Sequence, residues 1–225
     1  MAKKKESPSA MENVEQTLTR TEQFLEDNYK PILYGLGLIV VLAGLIWLSK
    51  IYLDNRNEEA LSQMYQAEIY FEKDSLTLAL NGDGNYLGFI EIADSYKMTK
   101  SANLAKYYAG LCYLHLGEFE NAIDYLSKYK GKSSVFATQA TGSIGDAYVE
   151  LGDFEKGLKY YLQAISSTEN TFLLPVYLMK AAHLYELSGD KKKALETYTR
   201  IRDEFPDSSE GSNIEKYISR LSVSN

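Results

Sequence analysis

The 225-residue sequence holds one cysteine, Cys112. A single thiol closes no internal disulfide and supplies no four-cysteine metal site, and with His115 three residues on it still lacks two ligands of a zinc tetrahedron. The only other histidine, His183, lies in a distant segment. No glycine-rich phosphate loop, Gly-x-Ser-x-Gly or His-Glu-x-x-His occurs anywhere. Positive charge is short as well: 24 Lys and Arg stand against 31 Asp and Glu, a net charge of −7. Nucleic-acid binding needs a basic face that displaces counterions, so that class is excluded. The carboxylates fall mostly at turns and on solvated faces. No cofactor, metal or small-molecule substrate is expected, and the chain is read as a binder of proteins rather than an enzyme.

Charge is wholly missing from residues 31 to 49, Pro-Ile-Leu-Tyr-Gly-Leu-Gly-Leu-Ile-Val-Val-Leu-Ala-Gly-Leu-Ile-Trp-Leu-Ser. As a helix this run is roughly 28 Å long, close to the ~30 Å hydrocarbon core, and Ile51 and Leu53 extend it if Lys50 snorkels. Tyr34, Trp47 and Tyr52 suit the headgroup layers at its ends. A secretory leader has a shorter apolar run nearer the N-terminus and an Ala-x-Ala site, which this stretch lacks. A single transmembrane helix over residues 31–53 is therefore expected. Flanking Lys and Arg tie on the two sides, and Lys3, Lys4 and Lys5 break the tie toward a cytoplasmic N-terminus.

The arm of residues 1–30 carries Met11, Val14, Leu18, Thr21 and Leu25 at helical steps behind a capping-box spacing, Ser9-Ala-Met-Glu12. That helix is acidic, which favours a protein contact over anionic lipid. From Asp54 to Lys73 neither Gly nor Pro interrupts the chain, and Ala60, Met64, Ala67 and Phe71 share a face. The membrane helix is expected to run on as a stalk. Asn81-Gly-Asp-Gly-Asn85 then ends it; Tyr86 and Ile92 stand where a calcium loop needs Gly and Glu, so a plain turn is expected.

Beyond residue 100 one pattern recurs three times: Gly110, Tyr113, Gly117, Phe119, Ala122; Gly145, Tyr148, Gly152, Phe154, Gly157; Ala182, Tyr185, Gly189, Ala194. The turn glycines are 35 and then 37 residues apart. Small residues let two antiparallel helices approach, with Tyr148 and its equivalents buried between them; the glycines end the first helix and the following acidic residues cap the second. Pro175 suits a first helical turn, and Pro206 closes the third unit. This resembles the tetratricopeptide repeat family, whose unit is 34 residues. The match covers residues 103 to 206, with Lys106, Thr141 and Leu178 at its least matching place.

The resemblance implies an all-α architecture: a single transmembrane helix followed by an α-solenoid of helical hairpins. Residues 54–100 form the stalk and a degenerate first repeat, 101–206 three repeats, and 207–225 a capping helix and tail. It also implies a concave groove lined by Leu104, Tyr107 and Leu111, then Gln139, Gly142, Asp146 and Val149, then Val176, Met179, His183 and Glu186. The carboxylate clamp of the chaperone-binding members is absent there. An apolar patch with an acidic end remains, suited to an amphipathic or extended hydrophobic segment, unless the stalk fills it. A short cytoplasmic arm, one membrane helix and an acidic repeat domain further resemble the ancillary subunit of the SecYEG translocon in Gram-negative bacteria. That resemblance implies an inner-membrane protein with periplasmic repeats and translocon subunits and chaperones as partners; the alternative is a scaffold among envelope or secretion assembly proteins.

Overall fold

The computed structural model describes residues 10–131 and 135–223. The regular elements among them are helical, with one isolated antiparallel bridge between Gly82 and Leu87. The chain divides into two compact units, residues 1–53 and 54–225.

Helix α1 (Ala10–Glu72) is two helices joined at Asn28, whose φ of −117° and ψ of 15° leave the helical region. Pro31 is the cause. Its ring lacks an N–H and crowds the carbonyl one turn earlier, so the ladder opens just before it. The Asn28 side-chain amide donates instead to the Phe24 carbonyl at 2.9 Å. Ser9 lies outside the described residues. From Asp27 onward this helix is long and apolar enough to cross a membrane, and none of its most apolar window is covered by protein.

In the second unit, the end of α1 buries Ala60, Met64 and Ala67 together with Ala102, Ala105, Ala109 and Cys112 of α4 (Lys100–His115). Phe71 meets the Tyr108 ring edge-on at 5.4 Å. Short helices α2 (Leu76–Asn81) and α3 (Phe89–Ser95) complete this core with Leu80, Phe89 and Ile92. The turn between them is held by Asp83, which accepts from the amides of Asn85 (2.9 Å) and Tyr86 (2.8 Å) and from the Tyr70 hydroxyl (2.7 Å). Its carboxylate is thus engaged by the chain's own donors.

Three hairpins follow: α4 with α5 (Phe119–Ser127), α6 (Val135–Glu150) with α7 (Phe154–Ser167), and α8 (Leu173–Leu187) with α9 (Lys191–Glu204). A 3-10 turn at Gly211–Asn213 leads into α10 (Ile214–Val223), which packs on α9. Gly117, Gly152 and Gly189 have φ of 78°, 79° and 79°, the left-handed conformation a helix stop requires. The next amide then reaches back to the repeat tyrosine carbonyl in each unit: Glu118 to Tyr113, Asp153 to Tyr148, Asp190 to Tyr185. Asp153 and Asp190 cap α7 and α9 as expected, accepting from Lys156 and Lys193 amides. Glu118 makes no such cap, and its longer side chain accepts from Asn121 instead. The capping helix expected after residue 207 begins only at Ile214, after Ser208 Oγ has accepted the Gly211 amide.

The repeat tyrosines differ from expectation. Tyr113, Tyr148 and Tyr185 are half-buried, and Tyr148 stacks on Tyr160 at 5.4 Å while Lys156 covers its ring at 5.0 Å. The aromatic between the helices is Tyr161 of α7, 4 % exposed, with Tyr198 of α9, fully buried, at the matching place 37 residues on. A Cβ on Gly145 would come within 2.7 Å of the Tyr161 ring, which explains the glycine.

Candidate functional site

The first helices α4, α6 and α8 lie beside one another, and the residues expected to line a groove lie mostly where each helix meets its successor. Tyr107 is 4 % exposed, surrounded by the rings of Tyr108, Tyr129 and Phe136, and its hydroxyl donates to Gln139 Oε1 at 3.0 Å. Burial pushes the Tyr107 phenol up to about 12. Leu104 and Leu111 pack half-buried beside it, with Ala140 and Ile144 of α6 in the same core. Gly142 is buried, and a Cβ there would overlap the Tyr177 ring of α8. Val149 packs half-buried over Gly157, while Val176 and Met179 are half-buried on α8. The stalk shares its core with the Ala102, Ala105 and Ala109 face of α4, and Leu104 of the α4 groove set packs against that core.

The acidic members are paired within the chain. Asp146 accepts the Tyr161 hydroxyl at 2.6 Å and the Lys180 ammonium at 2.6 and 2.8 Å. Glu186 accepts the Tyr198 hydroxyl at 2.6 Å and the Arg220 guanidinium at 2.8 and 2.7 Å. Burial, then the carboxylates, raise both tyrosines far above an ordinary phenol, so each stays a donor. His183 packs against both the Tyr198 and Tyr217 rings, and burial lowers its pKa. None of these groove residues is exposed. Among the described residues no group of three His, Cys, Asp or Glu side chains could hold a metal.

Hairpins joined by positive-φ glycines, small residues at the crossings and first helices side by side are what a helical-repeat solenoid requires. Tetratricopeptide repeat models match residues 90–134, 139–171 and 177–208, one for each hairpin. Residues 90–208 are tetratricopeptide repeats. A TPR repeat-containing protein of Methanocaldococcus jannaschii is 30 % identical over 115 residues, which are 51 % of this chain and 20 % of that protein. This chain therefore matches about a fifth of the length of that curated relative. Two solved structures of nearly identical TPR-like repeats, from a Podosopora anserina protein described as a kinesin light chain, superpose with a TM-score of 0.57 at 12 % identity. They cover 73 % of this chain and 85 % and 86 % of theirs; at that identity the likeness is one of fold. Tetratricopeptide repeats are protein–protein interaction modules, and that reading applies to residues 90–208.

Sequence reasoning named Asp146 and Glu186 but missed their partners. Tyr161 and Tyr198 carry a signal, because they share the 37-residue spacing of Gly152 and Gly189. Lys180 and Arg220 carry one as well, since each stands 34 residues after its acidic partner, one repeat unit on. The Lys180 to Asp146 pair is part-exposed, so Lys180→Met is expected to cost about 1–2 kcal/mol, between a surface pair and a buried charged hydrogen bond. Urea denaturation of residues 54–225, in a double-mutant cycle with Asp146→Asn, measures it. A coupling energy of zero would mean the pair contributes nothing.

Proposed function

We propose that this tetratricopeptide repeat protein is a membrane-anchored binding subunit. Residues 31–53 cross the bacterial inner membrane once, residues 1–30 remain cytoplasmic, and the repeats work in the periplasm. There they join the Sec translocon to periplasmic chaperones. The observation that carries the anchor is the uncharged helix whose side chains have no protein cover: Ile46 and Val40 are 71 % and 70 % exposed. Such a run is stable only in an apolar medium. The partner contact is assigned to the half-buried first-helix positions Leu111, Gln139, Val149, Val176 and Met179, where an apolar segment gains area without displacing the paired Asp146 or Glu186.

Three readouts on the full chain test this reading. A reporter enzyme active only outside the cytoplasm, fused after Asn225, is expected to be active; activity of a cytoplasmic reporter there overturns the orientation. The protein is expected to stay with membranes at alkaline pH. In mild detergent, channel subunits and chaperones are expected to co-purify, and Val176→Asp to lose them at an unchanged denaturation midpoint. Envelope structural proteins in their place would make the chain a scaffold.

A further inference from the structure

Among the described residues, the most exposed large apolar side chain outside the apolar helix is Met98, 85 % exposed. It lies in the turn between α3 and α4 with φ of 72°, a conformation that glycine adopts freely and that opposes a Cβ. The turn is rigid. Thr99 caps α4 by accepting the Ala102 amide at 3.0 Å, and its own hydroxyl donates to the Tyr96 carbonyl at 2.8 Å. An unfavourable backbone thus holds an apolar side chain out in solvent.

This turn is fastened to the chain just beyond the apolar run. Arg56 donates to the Ser95 carbonyl at 2.8 Å and covers the Tyr96 ring at 4.3 Å, and the Tyr96 hydroxyl donates to Glu59. Asn57 Oδ1 accepts the Ser101 amide at 2.9 Å. Asn57 is four residues after Leu53, so chain length alone keeps it within ~14 Å of the end of the span. The headgroup layer is roughly 5–8 Å deep on each side. Lys97 and Lys100 flank Met98 and are exposed, with Asp94 at 3.8 Å from Lys97 the nearest acidic partner.

We infer that the Lys97-Met98 turn is a second membrane contact, with Met98 inserted among the lipid headgroups of the bilayer that α1 crosses and Lys97 and Lys100 on lipid phosphates. A methionine between lysines has the chemistry of an interfacial anchor, apolar at the centre and cationic at the rim. The inference rests on the spanning helix proposed above. The contact would hold the repeat domain at the membrane face by two points rather than one.

The test uses the full chain in vesicles of phosphatidylethanolamine and phosphatidylglycerol. Cys112 is fully buried, so a fluorophore can be placed selectively on Met98→Cys, on Leu42→Cys within the span, and on Phe172→Cys, whose native side chain is 84 % exposed. Nitroxide lipids then quench by depth. Headgroup nitroxides are expected to quench the label at 98 about threefold more than that at 172, as for an interfacial side chain. Quenching at 42 by acyl-chain nitroxides with equal quenching at 98 and 172 overturns the second contact and leaves the span intact. No quenching at 42 removes the span, and the inference with it.

Discussion

Tyr198→Ala is expected to be among the most costly single truncations in the repeat domain, about 3–5 kcal/mol. Its ring is fully buried, stacks on Tyr217 at 5.3 Å and meets His183 edge-on at 6.0 Å. Truncation opens a cavity in the core of the last hairpin and removes the hydroxyl that Glu186 accepts at 2.6 Å. Tyr198→Phe separates the two effects. The ring remains, and Glu186 keeps Arg220, so about 1–2 kcal/mol is expected. Tyr148→Ala, at the place the repeat pattern marks most plainly, should cost less than Tyr198→Ala because Tyr148 is half-buried. Urea denaturation of residues 54–225 ranks the three. Equal losses for Tyr148→Ala and Tyr198→Ala would contradict the burial described.

Gly88→Ala should be comparably damaging for a different reason. Its φ of −84° and ψ of 170° suit any residue, so conformation is not at issue. Space is. A Cβ would lie under 3.0 Å from the Leu80 carbonyl oxygen, the Gly82 nitrogen and the Asn81 carbonyl carbon, which are backbone atoms that cannot swing aside. The cost expected is about 3 kcal/mol or more, at the upper end for overpacking. Gly84→Ala is the control: its Cβ meets nothing within 4 Å and only its φ of 89° opposes it, a cost of about 1–2 kcal/mol. Comparing the two denaturation midpoints checks the pair. A Gly88→Ala loss no greater than the Gly84→Ala loss would mean the two strands of backbone are not in contact.

Local chemistry was legible in the sequence wherever one residue decides one conformation. Gly117, Gly152 and Gly189 stop helices, Pro175 lies in the first turn of α8, and Asp153 and Asp190 cap. Placement between elements was not legible. The pattern marks Tyr148 and passes over Tyr161, and only the crossing of α6 and α7 decides that Tyr161 is the buried one. The groove positions follow from the family resemblance, yet Tyr107 is buried because α6 lies against that face of α4. Gly88 reads as an ordinary turn glycine until the bridge between Gly82 and Leu87 brings the two backbones together.

Asp146 and Glu186 have one more consequence. Each carboxylate joins three consecutive helices: Asp146 of α6 holds Tyr161 of α7 and Lys180 of α8, and Glu186 of α8 holds Tyr198 of α9 and Arg220 of α10. A stack in which each layer touches only its neighbours is free to peel from an end, one hairpin at a time. Here the peeling of α10 or of α8 strands a half-buried anion on the layer beneath, where its remaining partner is a neutral phenol. The charge left behind ties the fate of each layer to the next, so the last two hairpins and their cap are expected to melt as one body, while α4 and α6 are joined through the neutral Tyr107 and Gln139 pair.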